Sequence, residues 1–452
     1  MIGKQLVLDA IKNKKTPRTP WVPFVGCHAA KLLDVPAGDY FMDADLIVNG
    51  ALKADELYRP DGLPVLFDLQ IEAEALGCGI KFSENNPPAV ATHPLEEGKT
   101  LADLKVPDGS EGRLPMAMDA SRRIVEQLGD KLAIYGLITG PYTLALHLMC
   151  TNIFYAMVDE PEVVKELMDF CTKVCVATAK MYADTGVDII AVVDPMTSQI
   201  SPAMFKEFVN PSCTETFKAI GEMGCASSFF VCGDATRNIE EMCKCGPDNV
   251  SIDENIPLGY VKETASKYGI SIGGNIQLTV TMLLGSPLDN IKDAANCAAI
   301  GQNEGFILSP GCDMPFGVPE INVQAVAAYV HGEETEFLSN VTSKEFELPE
   351  WDKPDYANLD KIVIDAITLD SESCAPCQYT MEAIIAAADG DPRIEYHEHK
   401  IKDPIGIACM IGLGAKNIPT ICIDGEIKYV SIIPKVETLK ADFLATLAKK
   451  GL

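Results

Sequence analysis

The stretch Phe229-Phe230-Val231-Cys232-Gly233-Asp234-Ala235-Thr236, FFVCGDAT (229–236), runs apolar and then stops on a cysteine, a glycine and an acid. A free cysteine is ordinarily a small core residue. Other apolar runs, however, end in the same manner. Trp21–Val25 is followed by Gly26-Cys27-His28, and Asp188–Asp194 closes on its own aspartate. Asn249–Asp253 leads into Glu254, Ile270–Gly274 into Asn275, and Gly305–Ser309 into Pro310-Gly311-Cys312-Asp313. Leu132–Ile138 reads as one more strand. Helical patterns over Met116–Leu128, Pro161–Thr185, Pro202–Met223 and Tyr260–Tyr268 lie between them. Short apolar strands alternating with helices predict an α/β fold with a parallel, helix-covered sheet. For residues 1–338 a closed (β/α)8 TIM-type barrel is preferred over an open doubly wound sheet, because no early Gly-rich dinucleotide fingerprint is present. In such a barrel every strand ends on one face, where catalytic groups gather.

The bulk numbers set limits. The chain has 452 residues, 47% hydrophobic and 23% charged, enough for a large domain and a smaller one. A net charge of −28 disfavours nucleic acid and anionic lipid as partners. The opening MIGKQLVLDAIKNKK reads as a short amphipathic helix without the apolar core of a secretory signal, and no run is long and apolar enough to span a membrane. Sixteen cysteines without an export signal point to a reducing cytoplasm. A cytoplasmic location is therefore expected.

Two thiolates and a carboxylate or imidazole, each from a different strand end, are the parts of a zinc site with one open position. A substrate thiol bound to zinc loses its proton and becomes nucleophilic at neutral pH. Cys232 and Cys312 are the expected thiolates. Asp253 and Glu254 are the nearest acids, while Cys27, His28 and His147 are further candidates. Asp194 is the leading catalytic carboxylate, and His28, His147 and Asn275 are read as facing the substrate. Cys243 and Cys245, Cys171 and Cys175, and the pair His397 and His399 are read as structural or solvated.

Four segments carry a resemblance: GPYTLALHLM (140–149), DPMTSQISPAMFKEFVNP (194–211), GGNIQLTVTMLLGSP (273–287) and EGFILSPGCDMPFGVPEINVQAV (304–326). They resemble the uroporphyrinogen decarboxylase superfamily, and within it the cobamide-dependent methyltransferases. The decarboxylases would carry an Arg-Gln-Ala-Gly-Arg-Tyr segment early on, where this chain has WVPFVGCHAAKLL (21–33). The resemblance implies zinc held by a His-x-Cys pair and a distant cysteine, with Cys232 and Cys312 as two of the ligands. The histidine position is occupied by Phe230. It also implies a corrinoid (methylcobamide) presented by a partner protein, and a small-molecule methyl donor or acceptor.

SNVTSKEFELPEWDKPDYAN (339–358) is polar, acidic and proline-bearing, and reads as a linker. Residues 359–452 then follow the order β-α-β-α-β-β-α, with Cys374-Ala375-Pro376-Cys377 between the first strand and its helix. This segment resembles thioredoxin. The helix amino terminus favours the thiolate of Cys374, Cys377 is the resolving thiol, and Pro419 stands where thioredoxin-like proteins place a cis-proline. The expected function is corrinoid-dependent methyl transfer with zinc activation and an attached dithiol domain. The alternatives are an electron-delivery protein that docks a corrinoid protein, and a decarboxylase-like lyase.

Overall fold

Residues 226–231 form the central strand of a seven-stranded parallel sheet in this computed structural model, which describes residues 2–340, 349–372 and 374–452. The strands, in chain and spatial order alike, are β1 (Gly62–Pro64), β2 (Ala133–Thr139), β3 (Ile189–Val193), β4 (Ala226–Val231), β5 (Asn249–Ile252), β6 (Ser271–Ile276) and β7 (Phe306–Pro310). Each is buried along almost its whole length, as parallel strands covered by helices must be. The expected Trp21–Val25 strand is reduced to a bridge between Trp21 and Leu308. Prolines at 20 and 23 remove the ladder donors a longer strand needs. Even so, Val22 N donates to Leu308 O (3.0 Å) and Asp61 N to Trp21 O (2.8 Å), so this segment bonds both edges of the sheet.

Residues on the inner face of this sheet form a core cluster: Phe24, Phe67, Tyr135, Val193, Phe230 and Ile307 among others, with the helix Gly3–Ile11 supplying Val7, Ala10 and Ile11. Phe230 lies 4.9 Å from the Phe24 ring and 5.6 Å from that of Phe67. Burying a phenylalanine so completely contributes about 2–3 kcal/mol. Cys232 and Cys312 pack against the rim of this cluster, since residues two apart on a strand share a face.

The chain divides into two units, Met1–Lys344 and Glu345–Leu452. The linker expected over 339–358 lies in part, at 341–348, outside the described residues. The second unit carries β8 (Ile362–Thr368), β9 (Ile394–Lys400), β10 (Thr420–Ile423) and β11 (Glu426–Val430), ordered β9-β8-β10-β11. β8 pairs parallel with β9 and antiparallel with β10, which pairs antiparallel with β11. Helices Ala375–Ala388, Pro404–Leu413 and Val436–Lys450 complete the β-α-β-α-β-β-α order. Among the described residues no helix is long and apolar enough to cross a membrane.

Candidate functional site at the strand ends

The ends of β4 and β7 bring Cys232 and Cys312 together from positions 80 residues apart. Their Cα atoms are 5.9 Å apart and the sulfurs are joined as a disulfide. Both side chains are half-buried. Gly233, at φ +83°, lets the chain turn sharply after Cys232. Its amide donates to Asp253 Oδ2 (2.7 Å), which ties the β4 and β5 ends together.

Two expected acids are therefore placed at this rim. Asp253 is buried, its other oxygen accepting from Asn255 N (2.8 Å) and Nδ2 (2.7 Å), and burial raises its pKa. Glu254 accepts from Leu278 N, and burial first, then the neighbouring Asp253 charge, push it up to about 8. As a zinc donor set, two sulfurs and the Asp253 carboxylate have the right chemistry. The place the family resemblance gives to an imidazole is filled by the Phe230 ring, inside the aromatic cluster.

Asn275 sits at the end of β6, where Nδ2 donates to Asp253 O (3.0 Å) and Ile256 O (2.8 Å). It positions the loop carrying both acids. Its role seen in the fold is thus to hold the rim.

Asp194 is fully buried and accepts from Thr143 N (2.8 Å), Thr143 Oγ1 (2.6 Å) and Tyr142 N (3.1 Å). It caps the helix Pro141–Met149, whose first amides lack intrahelical partners. Burial nevertheless raises its pKa to about 6. Gly140 is required there, because a Cβ would lie 2.3 Å from the Asp194 Cβ.

The two histidines expected to face a ligand are both buried. His28 donates from Nδ1 to Phe316 O (3.2 Å) and accepts at Nε2 from Tyr58 Oη (2.7 Å), and burial lowers its pKa to about 4. His147 lies in the helix Pro141–Met149, and burial lowers its pKa to about 3.

Asp313, the residue after Cys312, emerges beside the site without having been singled out. It accepts from Gly26 N (2.7 Å) and Cys27 N (3.3 Å), linking the β7 end to the first segment, and burial lifts its pKa to about 7. Gly26 is again a close-approach glycine, since a Cβ would meet Oδ1 at 2.2 Å. The signal was an acid adjacent to a strand-end cysteine. A second buried carboxyl, Glu72 of the helix Ile71–Ala75, accepts from Thr139 Oγ1 (2.8 Å) and Thr139 N (3.3 Å) at the end of β2.

In the second unit Cys374 is the cap residue of the helix Ala375–Ala388, and its sulfur lies 2.7 Å from that of buried Cys377. Leu369 N donates to the Cys377 sulfur at 3.3 Å. The Ile418–Pro419 peptide is cis. His399, expected to be solvated, instead meets buried Asp365 through Nε2 at 2.8 Å, while His397 stays exposed. Cys171, Cys175, Cys243 and Cys245 are buried, as core cysteines are.

Comparison with known proteins adds three findings. The family described as Uroporphyrinogen decarboxylase (URO-D) matches residues 3–333. Among curated proteins, the methylcobamide:CoM methyltransferase MtbA of Methanosarcina acetivorans is 26% identical over 328 residues, 71% of this chain and 95% of that protein. The methylcobamide:CoM methyltransferase MtaA of Methanosarcina barkeri is 26% identical over 334 residues, 72% and 96% of the two chains. Among solved structures, a methyltransferase from Methanosarcina mazei matches with a TM-score of 0.68 at 23% identity, covering 74% of this chain and 99% of that one.

Proposed function

From the premise that this chain belongs to the uroporphyrinogen decarboxylase family, we propose that it is a corrinoid-dependent methyltransferase. It moves a methyl group between a corrinoid on a partner protein and a small thiol or similar acceptor. The enzyme class, methyltransferase, follows from its relatives. The first unit is read as a (β/α)8 barrel with segment 20–22 in the eighth position. The observation that carries the reading is the convergence of Cys232 and Cys312 at two strand ends.

In the reduced state Cys232 and Cys312 would supply two thiolate ligands for zinc, and Asp253, bonded to the amide after Cys232, is favoured over Glu254 as the third. Zinc held there would lower the pKa of an acceptor thiol, so that the thiol would bind as thiolate and release its proton to solvent. The chain does the rest. Asn275 fixes the acid-bearing loop, Asp313 anchors the opposite rim, and the Phe24–Phe67–Phe230 cluster forms a dry floor beneath the sulfurs. Metal content of the reduced protein, together with methyl transfer from a methylated corrinoid protein to a thiol, tests the assignment. Wild type should bind zinc and transfer. Cys232→Ala and Cys312→Ala should each lose the one zinc equivalent held at the strand ends and most activity, and unchanged metal in both would sink it.

The second unit is read as a thioredoxin-like dithiol domain, on its element order, the Cys374–Cys377 pair at a helix amino terminus and cis Pro419. Cys374 thiolate attacks a cysteine disulfide and one sulfur leaves as thiolate. Cys377 then displaces the second, so two electrons pass to the target while Cys374–Cys377 becomes the disulfide. The joined state of Cys232 and Cys312 makes that pair the favoured target, and equally supports a second reading in which electron delivery is the main task. Cys377→Ala should trap Cys374 in a mixed disulfide under mild oxidation. Mass spectrometry finding Cys374 only free or glutathione-linked would refute that target.

A further inference from the structure

A second cluster of ligating side chains lies away from the strand-end cysteines and belongs to no part of the reading above. His93, Glu96 and Cys150 each offer one ligand atom, all three atoms lying within 4.8 Å of one another. His93 and Cys150 are buried and Glu96 is exposed.

The local fold explains why they meet. The helix Pro141–Met149 ends at Cys150, whose φ of +55° turns the chain, while its amide still closes onto Leu146 O (2.7 Å). The turn 93–97 docks on that helix end: Leu95 N donates to Leu148 O (3.0 Å), and Glu96 N and Glu97 N both reach His93 O. His93 Nδ1 lies 2.8 Å from His147 O. A carbonyl can only accept, so Nδ1 carries the hydrogen and Nε2 carries the lone pair. A ring nitrogen bonded to a backbone carbonyl is the outer-shell arrangement that orients a metal-ligating histidine and fixes its tautomer.

We propose that His93 Nε2, Cys150 Sγ and a Glu96 carboxylate oxygen bind a zinc-class divalent cation, with water completing the coordination. One imidazole, one thiolate and one carboxylate suit zinc and disfavour magnesium and calcium, which take oxygen alone. Ligand distances of about 2.0–2.3 Å require the three atoms to draw together somewhat, and exposed Glu96 supplies the freedom. The ion clamps the 93–97 turn onto the end of the helix whose start is capped by Asp194. This site is independent of the one at Cys232 and Cys312.

The test uses the full reduced chain with Cys232, Cys312, Cys374 and Cys377 all changed to serine, so that neither other thiol pair contributes. Zinc is titrated against a chromophoric chelator, and cobalt(II) is added separately as a spectroscopic probe. The expected result is one equivalent of zinc bound, and a cobalt complex with a thiolate charge-transfer band. Adding Cys150→Ser should abolish the band, and Glu96→Gln should weaken zinc binding by on the order of tenfold or more. Glu96 is exposed, so that variant reads affinity even if the Cys150 change impairs folding. Absence of zinc binding in the four-serine protein, a cobalt complex without a thiolate band, or affinity unmoved by Glu96→Gln would each overturn the site.

Discussion

The molecule carries two cysteine pairs of opposite construction. Cys374 and Cys377 are three residues apart, and their closeness follows from one turn of the helix Ala375–Ala388. Cys232 and Cys312 are 80 residues apart and meet only because β4 and β7 end on the same rim. A local pair keeps its geometry whenever its helix forms. A distant pair exists only while the whole sheet holds it, so its chemistry is hostage to packing elsewhere. That contrast separates redox exchange, which a local dithiol can perform, from metal holding, which needs a rigid rim.

The sharpest way to break the comparison is to remove one member of each pair. Cys232→Ala should cut zinc affinity at the strand-end site and methyl transfer by about two orders of magnitude or more, the order expected when one of three ligands is lost. Cys374→Ala should instead leave the zinc content of freshly reduced protein intact and slow its recovery after oxidation. Equal metal loss in both variants would mean that the pairs are not functionally distinct.

A smaller effect is expected beneath the distant pair. Phe230→Ala removes a fully buried ring from contact with Phe24 and Phe67, and should cost about 3–5 kcal/mol in denaturant unfolding. The loss should also loosen the Cys232–Cys312 rim, read as weaker zinc retention.

Glu72 sharpens the same dependence through pH. Burial raises its pKa from 4.5 to about 7, against the opposing Thr139 hydrogen bonds. Because the folded value is the higher one, its contribution is fully present below the unfolded pKa and is lost as pH rises through about 7. Glu72→Gln should flatten the decline in stability between acid and mildly alkaline pH, by up to about 3 kcal/mol. Parallel pH profiles for wild type and variant would contradict this assignment.

The smallest expected change is a gain. Phe230→His places an imidazole on the same strand face as Cys232, two residues away, and should tighten zinc binding on the order of tenfold despite some loss of stability. Unchanged affinity would indicate that Asp253 already completes the site.

Much of this was legible without coordinates. The strand ends at Asp194, Cys232, Asp253, Asn275 and Cys312 were readable from apolar runs that stop on polar residues. The helix Pro161–Thr185 was readable from its periodicity. Trp21–Val25 was read as a full strand, because its apolar content outweighed the ladder donors that Pro20 and Pro23 remove. β1 went unread because three residues, Gly62–Pro64, are too short to show a period.

The sequence by itself determined the alternation of strands and helices, the cysteines that end two strands, and the dithiol at a helix start. Each of these is a property of neighbours along the chain. Only the tertiary structure decided which groups are spent and which are brought together. Asp194 accepts from the start of a helix far along the chain, and His28 bonds to Tyr58 and Phe316. Asp313 showed only its place beside a strand-end cysteine, and nothing along the chain linked His93 and Glu96 to Cys150, because the partners come from 54 to 287 residues away. Burial and hydrogen bonding are set by long-range contacts, and those contacts decide whether a polar side chain remains available for chemistry.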